Sequence, residues 1–363
     1  MENKKKIAVL FGGRSSEHEI SLQSAYSVIK HMDGQRYEPV MIGITREGKW
    51  YLYRGSIERI AKGTWHLDQG CVPAIISPDR TEGGIRYEEG GEYRLIKLDA
   101  AFPILHGKSG EDGTVQGLLE LAGIPVIGCD TAASAVCMDK DLSHRIVSAA
   151  GVRVPTSLVL TSREQGQTQQ QALLWARNTG YPLFVKPASE GSSVGMSKVF
   201  KDGELLDALD TAFQYDKKVI LEETIEGFEV GCAVLGNRDL ILGAVDEIDV
   251  PGGFFDFKEK YTQKKSHIYV PARIPEQKAR EVQATAKLIY KTLGCKGFAR
   301  VDLFLTPDGG IVFNEVNTIP GFTDHSRYPN MLKSIGLSYD EIVEQLIETE
   351  VGHERRDCQA AVQ

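Results

Sequence analysis

Five consecutive apolar residues, Ile7-Ala8-Val9-Leu10-Phe11, run directly into Gly12-Gly13, and helix-like spacing over residues 17–30 follows. An apolar run of this length that stops at glycine reads as a buried strand; it is too short to cross a bilayer or to form the core of a secretion signal. Further pieces of the same kind follow: strands over 39–44 and over 98–105, the latter ending at His106, then a helix over 113–122 and an apolar stretch at 124–127. Strand, glycine turn and helix in alternation predict a mainly parallel sheet covered by helices, in a first unit spanning 1–128.

From 131 to 150 the pattern is helical, with Ala135, Met138, Leu142 and Ile146 as the apolar stripe. Strands at 156–160, 183–186, 197–200 and 219–222, interrupted by a helix at 167–179, predict a small α+β unit over 129–222. A third unit, 223–351, carries strands at 229–235, 240–247, 297–305 and 310–315 and a long helix at 275–293. Residues 249–266, rich in Gly, Phe and Lys, break this periodicity, and a stretch of that length is more often functional than connective. The polar tail 352–363 is expected to be disordered.

A net charge of −8 argues against a general nucleic-acid or membrane-surface binder, while leaving room for a local basic pocket. Six cysteines without a C-x-x-C pair read as reduced thiols of a cytoplasmic protein. The strongest chemical signal is Arg300-Val301-Asp302 followed by Glu315-Val316-Asn317. Residues two apart on a strand share a face, so two carboxylates and an amide oxygen converge across neighbouring strands. These are hard ligands suited to Mg²⁺, and Arg300 beside them can hold developing negative charge. The alternative, a solvated charged strand pair, fits poorly with polar residues that interrupt otherwise apolar strands.

Lys186 ends an apolar strand before the Gly/Ser loop 189–195, which is either a phosphate cradle or a flexible surface loop. Glu222, Glu223, Ile225 and Glu229 can frame an adenine edge and a ribose, or belong to a solvated acidic surface. Gly107-Lys108-Ser109 is not a P-loop, because Phe102 stands where that motif requires glycine; nor does Gly12-Gly13 follow G-x-G-x-x-G.

The order of these parts, together with Gly12-Gly13-Arg14-Ser15-Ser16-Glu17, the segment His106 to Gly113, Lys186 to Ser193, Lys260-Tyr261, and Asn314 to Gly321, resembles the D-alanine–D-alanine ligase family. The resemblance covers residues 7–346 and implies the ATP-grasp fold: an N-terminal α/β domain, a small central α+β domain and a C-terminal α+β domain with 249–266 as its lid. It implies ATP contacts from Lys140, Lys186, Glu190, Ser193, Glu222, Glu223, Ile225 and Glu229. Asp302, Glu315 and Asn317 would hold two Mg²⁺ ions, for which Mn²⁺ can substitute. Glu17, Ser192 and Tyr261 would form a hydrogen-bonded triad, His106 would lie beside the first D-alanine, and Arg300 with the Gly321 amide would meet the tetrahedral intermediate. Ser326 would receive the carboxylate of the second substrate. The family further implies a homodimer and small-molecule substrates, with neither nucleic acid nor membrane as partner.

Two departures bear on that second substrate. Phe254-Phe255-Asp256-Phe257 replaces the Phe-Tyr-Asp-Tyr common in housekeeping enzymes, and Arg327 stands where they carry an apolar residue. Both departures, with Lys260 retained, resemble the D-serine-forming ligases of vancomycin resistance, the VanG type in particular. D-alanyl-D-serine is therefore the expected product. D-alanyl-D-alanine is the alternative, and D-lactate a lesser one. A catalytically silent ATP-grasp binding protein is disfavoured by the retained Lys186, Arg300, Asp302, Glu315 and Asn317.

Overall fold

The computed structural model describes residues 4–161, 167–249 and 267–352. In chain order its first elements are β1 (Lys5–Gly12), α1 (His18–Lys30), β2 (Tyr37–Ile44), β3 (Trp50–Tyr53), α2 (Ile57–Ala61), β4 (Cys71–Ile76), β5 (Gly84–Glu89), β6 (Glu92–Lys97), β7 (Ala100–Ile104) and α3 (Thr114–Leu121). They build a seven-stranded sheet of order β6-β5-β4-β3-β2-β1-β7. Its centre is the parallel trio β2-β1-β7 that the alternation predicts, with Ile7 to Phe11 fully buried. The four strands β3 to β6, which the sequence reading did not resolve, extend it as an antiparallel meander. The links β2–β3, β4–β5 and β5–β6 are too short for a crossover helix, which leaves antiparallel pairing, whereas β3 and β4 pair antiparallel across a longer link that carries α2.

The helix expected from 131 to 150 is two helices, α4 (Thr131–Met138) and α5 (Lys140–Ala149). Asp139 has an extended backbone and caps α5, its side chain accepting from the Leu142 amide. The break shifts the helical phase, so the expected stripe is wrong: Ala135 is exposed, and Leu142 and Ile146 are 41 % and 38 % exposed. The buried face of α5 is instead Ser143, His144 and Val147. The next sheet is antiparallel, of order β10-β9-β11-β8, built from β8 (Ser157–Leu160), β9 (Leu183–Pro187), β10 (Ser197–Val199) and β11 (Val219–Glu223). Helices α6 (Gln167–Thr179) and α7 (Asp202–Ala212) accompany it.

The third sheet runs β15-β14-β12-β16-β17, with β13 (Ile241–Leu242) paired to β12 (Phe228–Leu235). Its other strands are β14 (Asp246–Asp249), β15 (His267–Tyr269), β16 (Phe298–Leu305) and β17 (Ile311–Asn317). The single strand expected at 240–247 is interrupted at Gly243, whose backbone packs so closely on Met331 that a Cβ there would stand 2.9 Å away. Helices α8 (Glu276–Thr292), α9 (Arg327–Lys333) and α10 (Tyr339–Val351) complete the unit. Five cysteines among the described residues are free thiols. Among the described residues no helix is long and apolar enough to cross a membrane.

Candidate active site

The site begins with the pairing of β16 and β17, which sets Arg300 opposite Asn317 and Asp302 opposite Glu315. The next rung joins Leu303 to Phe313, so Asn314 is an extra residue and β17 carries a bulge. The bulge has a specific use. In unbroken alternation Phe313 and Glu315 would share a face. With one residue inserted, Phe313 and Val316 both enter the hydrophobic core, and Glu315 and Asn317 turn toward the site.

The charges on this wall are tightly matched. The Arg300 guanidinium grips Asp302, with Nε–Oδ1 at 2.8 Å and Nη2–Oδ2 at 2.7 Å, and Asn317 Nδ2 donates to the same Oδ2 at 2.9 Å. Arg327, the first residue of α9, lies across the neighbouring strands. Its Nε and Nη2 donate to the two oxygens of buried Asp246 at 2.6 and 2.8 Å, its Nη1 to Glu229 at 3.1 Å, and its Nη2 stands 3.3 Å from Asp302 Oδ1. Asp246 on β14 and Asp302 on β16 are both register partners of Gly231 on β12. A Cβ at Gly231 would stand 2.5 Å from Arg327 Nη2. Arg327 is therefore a buried, oriented cation, and Asp246 is a site residue that sequence reasoning missed. Its only signal was an aspartate inside an apolar strand.

Two adjoining cavities share this wall: Glu315 lines one, and Arg300 and Asn317 line the other. The first also collects Lys140, Lys186, Glu190, Ser193, Glu222, Glu223, Ile225 and Glu229, every residue expected to contact ATP, with apolar walls from Phe184, Phe228 and Phe304. Lys186 Nζ pairs with Glu222 Oε2 at 2.6 Å, and Lys140 Nζ lies 3.3 Å from Glu315 Oε2. Burial by itself pushes the Glu222 carboxyl up, but Lys186, His144 and Lys140 outweigh it and hold the group below its ordinary range. Its other oxygen, Oε1, is buried with no hydrogen-bond partner among the described residues. The Glu223 carboxylate accepts from the Thr156 amide at 2.8 Å.

The second cavity collects Glu17, His106, Ser192, Arg300, Gly321, Ser326 and Arg327. Ser192 Oγ donates to Glu17 Oε1 at 2.5 Å. Ser192 and Ser193 are consecutive non-glycine residues in the left-handed region, at φ 51° and 60°, a conformation costing about 1–3 kcal/mol each that tends to mark functional loops. Ser326 Oγ accepts from the Thr323 amide at 2.9 Å, beside Gly321. Phe255, Phe257, Lys260 and Tyr261 lie outside the described residues, as do most of 249–266 and of the tail.

Glu111 also lines this cavity, inside a motif of which only His106 was expected to have a role. Its carboxylate accepts from the Gly107 amide at 2.8 Å and the Ile319 amide at 3.0 Å, while His106 Nδ1 donates to the Ile319 carbonyl at 2.8 Å. Burial, then the charge of Glu17, push the Glu111 carboxyl up to about 8. Between the ordinary carboxylate value and about 8, the folded protein keeps a proton that the unfolded chain releases. The stability this group contributes is thus fully present below the ordinary value and is lost as pH rises to about 8. Melting curves from pH 4 to 9 should show that decline in the parent and a flatter profile in Glu111→Gln; parallel profiles would refute it.

The family models for the D-ala D-ala ligase N-terminus and the D-ala D-ala ligase C-terminus match residues 6–129 and 146–348. The vancomycin B-type resistance protein VanB of Enterococcus faecalis is 45 % identical over 350 residues, covering 95 % of this chain and 98 % of that protein. A D-alanine–D-alanine ligase of Caldicellulosiruptor bescii is 42 % identical over 355 residues, covering 97 % of each. Among solved structures, the VanG D-Ala:D-Ser ligase from Enterococcus faecalis superposes with a TM-score of 0.88 at 52 % identity, covering 96 % of this chain and 99 % of that one. Matched along nearly its whole length, with the motif residues gathered around two adjoining cavities, the chain belongs to the D-alanine–D-alanine ligase family of ATP-grasp enzymes.

Proposed function

We propose that this ligase joins D-alanine to D-serine through a D-alanyl phosphate. The observation that carries the choice of D-serine is Arg327, a guanidinium fixed by Asp246 and Glu229 at the wall of the substrate cavity. A site built around fixed polar groups discriminates strongly for a substrate hydroxyl or carboxylate, whereas an apolar wall does not. The VanG enzyme, whose product class is D-Ala:D-Ser, supports the same reading. The alternative is a housekeeping D-alanine–D-alanine ligase, and relatives of that description are nearly as similar as the resistance proteins.

In this reading the first cavity takes ATP. Glu222, Glu223, Ile225 and Glu229 line it where adenine and ribose would sit, and Lys140 and Lys186 suit the phosphates. A carboxylate oxygen of D-alanine, beside Glu17 and His106, attacks the γ-phosphorus, and ADP leaves. The amine of the second substrate, with its carboxylate at Ser326, then attacks the acyl carbon. Arg300 and the Gly321 amide face the resulting oxyanion, phosphate departs, and the amine loses its extra proton. One such donor is typically worth about 3–4 kcal/mol.

The family implies a divalent metal, and the donor set fits Mg²⁺: two carboxylates and an amide, hard oxygen donors that leave coordination positions for phosphate and water. Among the described residues no three His, Cys, Asp or Glu groups converge for a metal. Asp302, Glu315 and Asn317 would hold it, with Asp302 sharing oxygens now gripped by Arg300. When bound, the metal neutralises developing phosphate charge.

We further infer units bounded near 128 and 222, a cytoplasmic location supported by the free thiols, and a homodimer supported by exposed Ile75, Tyr93 and Leu95 on the β4–β6 ribbon. A role in resistance, making peptidoglycan precursors that end in D-serine, follows if the product assignment holds. Purified protein given ATP, Mg²⁺, D-alanine and equal D-serine should yield chiefly D-alanyl-D-serine by mass spectrometry. Predominant D-alanyl-D-alanine at neutral pH would sink the assignment.

A further inference from the structure

We propose that His144 is a positioning residue for phosphoryl transfer: its imidazole locks the helix bearing Lys140 to the strand bearing Glu315 and to the carboxylate that holds Lys186. The inference rests on the nucleotide and metal roles proposed above and adds to them a residue that touches neither ligand.

Three observations converge on this ring. First, the bulge in β17 leaves Asn314 outside the ladder register, and its carbonyl needs a donor elsewhere. His144 Nε2 supplies one at 2.7 Å, so that nitrogen carries the proton. The residue so anchored immediately precedes Glu315, and the same ring packs edge-on against Phe313 at 5.3 Å. Second, Nδ1 faces Glu222 Oε1 at 3.7 Å, and both atoms are buried with no hydrogen-bond partner among the described residues. The imidazole thus walls one carboxylate oxygen off from water, while the other is committed to Lys186 at 2.6 Å. Charge pairs strengthen as water is excluded. Third, His144 stands four residues after Lys140 on α5, so both project from one helix face. Lys140 Nζ reaches Glu315 Oε2 at 3.3 Å.

One ring therefore fixes the relative positions of both phosphate lysines and a metal carboxylate, which come from α5, β9 and β17. Phosphoryl transfer draws its rate from such positioning, and a misplacement of about 1 Å far from the chemistry can cost about 10²-fold.

The test uses three variants of the full chain. Gln can place an amide N–H where Nε2 stands, Asn fills the space beside Glu222 with a polar group but cannot reach Asn314, and Leu offers neither. At a temperature where each is folded, His144→Leu and His144→Asn should lower kcat about 10–100-fold, while KM for D-alanine stays within about twofold. Calorimetry without metal should show ADP affinity falling at least about fivefold in both, and His144→Gln should remain within about fivefold of the parent in every constant. If His144→Leu does not fold, the contrast between Asn and Gln decides. Equal behaviour of those two would overturn the proposal, as would variants that melt earlier with kcat and ADP affinity unchanged. A parent protein that binds no ADP would instead overturn the nucleotide reading.

Discussion

Glu315→Gln is expected to remain folded and to lose turnover by at least about 10³-fold. The substitution is isosteric, and its backbone position, fixed by the rung with Asp302 and the bulge at Asn314, does not depend on the charge. What changes is electrostatic. Lys140, 3.3 Å from Glu315 Oε2, loses a negative partner, and the candidate metal set falls from two carboxylates to one. Asp302 keeps Arg300 and Asn317, and Lys140 keeps its hydrogen bond to the Glu190 carbonyl at 2.8 Å, so neither buried group is left without a partner. ADP release in the presence of Mg²⁺ measures the loss, and circular dichroism confirms that the fold persists. Turnover within tenfold of the parent would remove Glu315 from the metal set.

Gly231→Ala should weaken the protein and shift its product. The added methyl carbon would stand 2.5 Å from Arg327 Nη2, 2.7 Å from Asp246 Oδ1 and 3.0 Å from Asp302 Oδ1. None of the three can withdraw alone, because the guanidinium is bonded to two carboxylates and close to a third. Displacing it leaves Asp246 buried and poorly paired, a loss of about 2–4 kcal/mol visible in denaturant unfolding. If Arg327 orients D-serine, the ratio of D-alanyl-D-serine to D-alanyl-D-alanine should fall at least about tenfold. A destabilised variant with an unchanged ratio would separate the packing of Arg327 from any part in selecting the substrate.

Much of the site was legible because its residues sit at strand ends and in glycine-rich loops, where polar types interrupt apolar runs. Arg300, Asp302, Glu315 and Asn317 do so, and alternation alone put each pair on one face. Their company was not legible. Asp246, Glu111 and His144 act through partners 81, 208 and 170 residues away in sequence, and no local pattern encodes such meetings. The bulge at Asn314 was hidden because apolar residues on both sides of it read as one continuous strand. Helix periodicity failed at Asp139, where a capping side chain restarts the helix in a new phase. The meander β3 to β6 escaped for a plainer reason: its strands are only four to six residues long and give little pattern to count.

Ile319 gives this architecture a mechanical consequence. Its carbonyl is held by His106 and its amide by Glu111, both from the first sheet's unit, 213 and 208 residues distant. Gly321, whose amide faces the proposed oxyanion, lies two residues further along the same strand exit. A small tilt of the first unit against the third is therefore transmitted to that amide through a lever gripped at both of its polar atoms. A compound wedged under the loop from His106 to Glu111 could silence the enzyme without competing for ATP or for either amino acid.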